Sequence, residues 1–153
     1  INNVRAIIYN LRPAHLERFG LTDTIDAMLQ QIMQTSSIRW NVQVENIDNV
    51  ISKENEIHFY RILQESINNI VKHSFAFEAS IEVKKDEDKI TVKVIDDGKG
   101  FAIHAPSFQP GIGLRGLEER AALLGGTLQI HSILEEGTEL LFIIPVLKKN
   151  NGK

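Results

Sequence analysis

The sequence predicts an α/β fold, a two-layer sandwich in which a mixed, mostly antiparallel sheet carries helices on one face. Apolar residues recur at helical spacing in the first half of the chain, and they alternate with polar residues in the second half. Short polar turns separate the alternating segments, which is typical of strands joined as hairpins. Helices followed by strands that are mostly linked as hairpins predict this sandwich.

Length and composition indicate a single globular domain. The 153 residues are 42% hydrophobic and 24% charged, which suffices for a core and a hydrated surface. The formal net charge of −3 argues against nucleic acid as a partner, because phosphate binding needs clustered basic charge. The chain has no cysteine, which excludes disulfides, thiolate metal sites and a cysteine nucleophile. We expect a cytoplasmic location, with which this absence agrees.

Three segments have helical periodicity in the first half of the chain. Apolar residues over 4–11 predict a helix that Pro13 ends. Thr22 or Asp23 can cap a second helix, and Ser52 can cap a third that runs to about residue 73. The apolar face of the second helix consists of Ile25, Met28, Leu29, Ile32 and Met33.

Alternation and turn residues predict the strands and one more helix. A helix over 114–124 is stopped by the glycines at 125 and 126. The segment over 97–113 lacks periodicity and exceeds an ordinary connection, so we expect a lid or binding loop there. A polar tail over 148–153 is expected to be disordered. The strands are carried by Ile38 to Val44, Ile81 and Val83, Ile90 to Val94, Leu128 and Ile130, and Leu140 to Ile144.

Four polar side chains share one arc of the long helix, opposite its apolar face. An asparagine carbonyl on this arc offers Mg²⁺ a hard oxygen ligand without adding charge beside a triphosphate. The arc could therefore serve a nucleotide and its metal, although a solvated helix face explains the same pattern. The four residues are Glu65, Asn69, Lys72 and His73.

Asp96 ends a predicted strand in the same parity as Ile90, Val92 and Val94, so its carboxylate should point toward the core. A carboxylate there is costly unless a partner donates hydrogen bonds to it, and a purine amino group would do so. The glycines at 98 and 100 would let a ligand lie against the backbone. An ordinary Asp-Asp-Gly turn remains the alternative.

The segment from Gly111 to Gly116 matches the dinucleotide fingerprint G-x-G-x-x-G. That fingerprint requires a buried strand immediately before it, whereas the polar residues Ser107 to Pro110 precede it here. The dinucleotide interpretation therefore fails. Flexible glycines before a helix remain, and free backbone N–H groups at a helix start suit a phosphate group.

Four motifs together resemble the GHKL superfamily of ATPases, which includes gyrase, a heat-shock chaperone, histidine kinases and MutL. Their order and spacing match over about residues 38–145. The resemblance implies the sandwich of the histidine kinase ATPase type, with a flexible ATP lid. Gln64 to His73 resembles the N box, Asp96 to Phe101 the first glycine box, Gly111 to Gly116 the second, and Gly137-Thr138 the closing motif.

The first residues of the chain resemble a subgroup of sensor histidine kinases. Asn10-Leu11-Arg12-Pro13, followed by Gly20-Leu21, is similar to the end of the dimerisation helices in kinases that partner response regulators with a helix-turn-helix output domain. The resemblance implies that residues 1–20 end the dimerisation region, that 21–147 form the ATP-binding domain, and that 148–153 are a tail. It also implies a homodimer and a cognate response regulator.

The resemblance implies a role for each motif residue. The chain would bind Mg-ATP and donate the γ-phosphoryl group to a histidine on an adjacent dimerisation helix. No histidine lies upstream of Leu11, so we expect the acceptor to be absent from this chain.

The implied roles divide between the phosphate end, the base and the lid. Asn69 would be the Mg²⁺ ligand, and Glu65 would polarise the nucleophile or orient the metal's water. Lys72 and His73 would contact phosphates. Asp96 would bind the adenine amino group, Thr138 would support the adenine end, and Leu114 would contact the nucleotide. The lid and its hinges would be formed by Gly98, Gly100, Gly111, Gly113 and Gly116.

Two alternatives belong to different classes of protein. A serine kinase of the anti-sigma class has a similar ATP site, but it would lack the Leu11-Arg12-Pro13 helix end. A nucleotide-gated interaction module would bind ATP without phosphotransfer, and the presence of both Glu65 and Asn69 disfavours it.

Overall fold

The computed structural model of the protein describes residues 13–102 and 112–147. The predicted helix over 4–11, Gly111, most of the expected lid and the tail over 148–153 lie outside these ranges. The elements are α1 Pro13–Phe19, α2 Leu21–Thr35, β1 Arg39–Val44, α3 Lys53–Asn69, a π-helical turn Ile70–Ser74, β2 Glu78–Lys85, β3 Lys89–Asp96, α4 Ile112–Leu123, β4 Thr127–Ile133 and β5 Gly137–Pro145.

The five strands form one mixed sheet in the order β1-β2-β3-β5-β4. β1 and β2 are parallel because α3 and the π-helical turn connect them, and a parallel pair needs such a crossover. The other three pairings are antiparallel. In the β2–β3 turn, the Asp86 carboxylate accepts hydrogen bonds from the N–H groups of Asp88 and Lys89, at 2.8 and 2.9 Å.

The core lies between one face of the sheet and the helices, which confirms the predicted fold class. Along β3, Ile90, Val92 and Val94 are buried, and the residues between them are more exposed. This is the period-two alternation of a strand with one buried face. The helices complete the core with apolar side chains that include Ile25, Met28, Phe59, Leu63, Ile67, Leu117 and Ala121.

The start of α2 differs from the prediction. The helix begins at Leu21, so neither Thr22 nor Asp23 is its N-cap, and the capping residue Gly20 has a φ of 87° and no side chain. A distant carboxylate replaces the local cap, because Asp48 Oδ1 accepts the Thr22 N–H at 2.9 Å. Tertiary structure thus supplies the acceptor that a helix start requires.

The other predicted cap has the right position without its hydrogen bond. Ser52 precedes α3 as predicted, but its side chain makes no capping hydrogen bond. Glu54 and Glu56 lie in the first turn, where the helix dipole favours negative charge.

α1 packs onto the same core as the rest of the domain. Leu16 is buried in the same cluster as Leu21. The predicted boundary between the dimerisation region and the ATP-binding domain lies between these two residues. That boundary at residue 20 stays a prediction. None of the helices within the described ranges combines the length and apolarity that a membrane span needs.

Candidate functional site

A cavity of about 360 Å³ opens between α3 with its π-helical turn and the ends of β3 and β5. Seven of the predicted site residues line it, from four separate parts of the chain. Among the described residues, the lining consists of Glu65, Ser66, Asn69, Ile70, His73, Ser74, Val94, Asp96, Lys99, Gly100, Phe101, Leu114, Thr138 and Leu140.

Asp96 supplies a buried carboxylate to this cavity, as its strand parity predicted. Its side chain is only 8% exposed, and Oδ1 accepts the Gly98 N–H at 2.9 Å. Burial raises the pKa of Asp96, the Gly98 hydrogen bond lowers it, and the charge of Asp97 raises it again. An ionised carboxylate has about four acceptor positions, so one hydrogen bond leaves capacity for a donor on a ligand.

The π-helical turn after α3 affects which side chains of the predicted polar arc line the cavity. Glu65 and Asn69, on the α-helical part, line it, and so does His73 at an exposed position. Lys72 is exposed and is not among the lining residues. The predicted arc assumed a uniform α-helix to about residue 73, whereas a π turn is wider and changes the angle between successive residues.

Backbone hydrogen bonds connect the Asp-Asp-Gly-Lys-Gly segment to the π-helical turn and to the β4–β5 turn. The Lys99 N–H donates to the Ser74 carbonyl at 2.7 Å, and the Lys99 carbonyl accepts the Glu135 N–H at 2.6 Å. A Cβ on Gly98 would lie 2.1 Å from the Ser74 carbonyl oxygen, and Gly100 has a φ of 56°. These two glycines therefore permit close backbone approach, and this part of the expected lid belongs to the rigid frame of the site.

Asp97 has a structural role beside Asp96. Its Oδ1 accepts the N–H groups of Phe77 and Glu78, at 2.9 and 3.0 Å. The side chain thereby joins the end of β3 to the start of β2. The two adjacent carboxylates thus have separate roles. The local turn hydrogen bond, from an N–H two residues further on, is accepted by Asp96, whereas Asp97 binds N–H groups that are distant in the chain.

The second glycine motif lies partly inside a helix, which corrects its predicted conformation. α4 begins at Ile112, two residues earlier than predicted, so Gly113 and Gly116 are helical. Gly111 lies outside the described residues. Leu114 lines the cavity, and a Cβ on Gly116 would meet no atom within 4 Å. No steric contact in the described part of the structure therefore requires glycine at 116.

Ser132 is a buried polar residue that belongs to none of the four motifs and was not predicted. Its Oγ accepts the Phe101 N–H at 2.9 Å and lies 2.8 Å from Thr138 Oγ1. Ser132 has the same strand parity as Leu128 and Ile130. The parity argument that identified Asp96 would therefore have identified Ser132 too.

The described residues contain no group of three or more His, Cys, Asp or Glu side chains placed to hold a metal. Mg²⁺ commonly takes only one or two protein oxygen ligands when phosphates and water supply the others. The Asn69 side chain on the cavity wall meets that smaller requirement. The donor set therefore fits a metal that enters with a nucleotide better than an independent metal centre.

Two solved structures of histidine kinases share this fold. The histidine kinase domain of the blue-light activated kinase EL346 from Erythrobacter litoralis superposes with a TM-score of 0.70 at 20% identity, covering 82% of this chain and 61% of that chain. The Acinetobacter baumannii histidine kinase AdeS gives a TM-score of 0.65 at 16% identity, covering 84% and 64%. At these identities the likeness shows the fold.

Sequence comparison shows the family. Sensor histidine kinase LiaS of Bacillus subtilis is 32% identical over 157 residues, which cover 99% of this chain and 41% of that protein. Sensor protein VraS of Staphylococcus epidermidis is 28% identical over 149 residues, covering 97% and 42%. The chain thus spans about two fifths of the length of these relatives. Residues 54–148, more than half of the chain, match the family model described as histidine kinase-, DNA gyrase B- and HSP90-like ATPase. The chain belongs to this ATPase family.

Proposed function

We propose that this chain binds Mg-ATP and positions the γ-phosphoryl group for transfer to a histidine on a neighbouring dimerisation helix in two-component signalling. The supporting observation is that one cavity is lined by Glu65 and Asn69 from α3, Asp96 from β3 and Thr138 from β5. The names of the relatives favour this function over a serine kinase of the anti-sigma class.

The buried end of the cavity suits an adenine base. The Asp96 carboxylate accepts a hydrogen bond from the adenine amino group, while Val94, Leu140 and Leu114 offer apolar surface to the ring. A small number of placed polar groups on an apolar lining is typical of small-molecule sites. The Thr138 hydroxyl lies on the same wall.

The α3 side of the cavity suits the phosphates. The Asn69 carbonyl would be the protein ligand of Mg²⁺, and Glu65 would polarise the nucleophile or orient a water on the metal. His73 contacts phosphate oxygens from the cavity wall, and the long, exposed side chain of Lys72 does so from outside it. Bound Mg²⁺ would neutralise charge on the transferring group, so catalysis consists mainly of positioning and charge stabilisation.

The proposal extends to the protein of which this chain is the ATPase domain. Its partners are its own dimerisation helices, which carry the acceptor histidine, and a cognate response regulator. The protein acts as a homodimer, and this domain lies in the cytoplasm. A lid that includes Gly111, Gly113 and Gly116 remains part of the proposal.

Replacing Asn69 tests the metal-dependent part of the site. Asn69→Ala should weaken ATP binding in the presence of Mg²⁺ at least about tenfold, or roughly 1.4 kcal/mol, because it removes a metal ligand. Isothermal titration calorimetry measures this affinity. With Mg²⁺ removed by a chelator, the mutant and the wild type should bind ATP alike.

Asn41→Ala is the matched control, because Asn41 is an exposed asparagine on β1 and does not line the cavity. Its affinity should equal that of the wild type in both buffers. Equal weakening by Asn69→Ala with and without Mg²⁺ would show that Asn69 contacts the nucleotide but does not ligate the metal. Unchanged affinity would remove Asn69 from the site.

A further inference from the structure

The strand register aligns three polar side chains on the cavity side of the sheet. Asp96 on β3 is paired with Thr138 on β5, and Thr138 is paired with Ser132 on β4. Directly opposed residues of antiparallel strands point to the same face. The neighbouring row, Val94, Leu140 and Ile130, is entirely apolar. The polar row therefore stands out at the end of the sheet that borders the cavity.

Ser132 uses its full hydrogen-bonding capacity within this row. The side chain is 6% exposed, and its Oγ has three partners. It donates to the Gly137 carbonyl at 3.1 Å, accepts the Phe101 N–H at 2.9 Å, and lies 2.8 Å from Thr138 Oγ1. A hydroxyl has one proton to donate and two lone pairs to accept with. These three bonds match that capacity.

The direction of the bond between the two hydroxyls follows from this count. The Gly137 carbonyl can only accept, so the single proton of Ser132 is committed to it. Thr138 must therefore donate its own proton to Ser132 Oγ. Its remaining lone pairs are then acceptors, on a side chain that lines the cavity. Next to it in the row, Asp96 also presents acceptors.

We propose that Ser132 is a positioning residue that fixes the Thr138 hydroxyl as a hydrogen-bond acceptor and so selects a base with an amino group. This inference rests on the proposed nucleotide site. The carbonyl oxygen of another base at the same position would face only acceptors and would be left unpaired. Without Ser132, the Thr138 hydroxyl can turn its proton toward such a base.

Inosine triphosphate is the probe, because it carries a carbonyl oxygen where ATP carries its amino group, with a proton on the adjacent ring nitrogen. Calorimetry on the full chain gives the ratio of the two affinities. Ser132→Ala should lower the preference for ATP over inosine triphosphate at least about fivefold, mainly because inosine triphosphate gains a donor. Ser132→Thr retains the hydroxyl and should keep the preference of the wild type.

A double-mutant cycle tests whether Ser132 acts through Thr138. Thr138→Val removes the acceptor and should also lower the preference. Adding Ser132→Ala to Thr138→Val should change the preference no further. Thr24→Val is the control, because Thr24 is a buried threonine of α2 whose hydroxyl donates to the Gly20 carbonyl at 2.7 Å, away from the cavity. It should leave the preference unchanged, and thermal unfolding identifies any variant that fails to fold.

The outcomes separate this inference from the proposed function. If Ser132→Ala folds and keeps the preference of the wild type, Ser132 does not orient Thr138. An equal effect of Ser132→Ala with and without Thr138 would place its action at the Phe101 backbone instead, which also overturns the inference. If Ser132→Ala does not fold, loss of the preference in Ser132→Thr contradicts it. A wild type that binds neither nucleotide would overturn the proposed function itself.

Discussion

The Asp96 carboxylate has a pKa above its usual value, chiefly because it is buried. The native state therefore binds more protons than the unfolded chain at pH values between the unfolded-state and folded-state pKa of this group. The free energy of unfolding then falls as the pH rises through that interval, and the ionised form is the destabilising one. Asp96 thus reduces stability at neutral pH while providing the acceptor that the proposed ligand needs.

Asp96→Asn should separate these two effects. The amide oxygen can still accept the Gly98 N–H, so we expect a higher Tm than the wild type at neutral pH. The difference should shrink as the pH falls toward 3.8, the ordinary value for the group. ATP binding should weaken at least about tenfold, because the amide can turn a donor toward the base. Thermal unfolding across pH and calorimetry measure the two effects.

Glu56→Gln is the matched control for this experiment. Glu56 is another buried carboxylate, 3% exposed, and burial raises its pKa against the opposing effect of Lys53, whose Nζ is 3.7 Å away. It lies outside the cavity lining. Its replacement should raise the Tm at neutral pH and leave ATP affinity unchanged. Loss of ATP binding in both variants would point to a general change in the fold.

At the scale of the elements, glycines have two different roles in this domain. Gly98 lies where β3 leaves the sheet and meets the π-helical turn, with no room for a side chain. Gly116 lies inside α4, and a side chain there would point into open space. The two glycine motifs are alike in sequence, yet only the first is explained by packing in the described structure.

Alanine substitutions at these positions should have opposite effects on stability. Gly98→Ala would place Cβ 2.1 Å from the Ser74 carbonyl oxygen and should lower the free energy of unfolding by at least about 2 kcal/mol. Gly116→Ala should raise it by roughly 0.5–1 kcal/mol, because alanine favours a helix over glycine. Urea denaturation measures both. If Gly116→Ala is less stable than the wild type, residue 116 is not helical in the native state, and the prediction is contradicted.

At the scale of the whole molecule, four of the five histidines of the chain lie in the part that the structure describes, and none of the five precedes Leu11, where the acceptor is expected. His58 contacts the Arg120 guanidinium through Nδ1 at 3.2 Å, between α3 and α4. His73 lies on the cavity wall, and His131 is exposed on β4. His15 lies in α1, and His104 is outside the described residues.

We therefore expect the 153-residue chain not to phosphorylate itself. After incubation with labelled ATP and Mg²⁺, it should carry no acid-labile phosphate. A separate polypeptide with dimerisation helices and their histidine should become labelled when it is added. Labelling of the chain alone would contradict this expectation, and labelling of neither would favour a module that binds ATP without phosphotransfer.

Several parts of the fold and the site were predictable because they depend on local patterns. Strand parity alone placed Asp96 toward the core, and helical spacing placed Glu65 and Asn69 on one arc. The cap of α2 was not predictable, because the acceptor for the Thr22 N–H is Asp48, 26 residues away in the chain. The π-helical turn also escaped prediction, since its residues have no periodicity that distinguishes it from an α-helix.

The sequence by itself determined the type of every element except α1 and the π-helical turn, the inward parity of each strand and, through four motifs, the ATPase family. Tertiary structure alone decided which of these residues share a cavity. Asp96, Thr138 and Ser132 are brought into one row by strand register, which depends on pairings between segments up to 42 residues apart. The spacing of residues along the chain predicts the direction of each side chain. Which strands pair, and in which register, depends on the packing of the whole sheet.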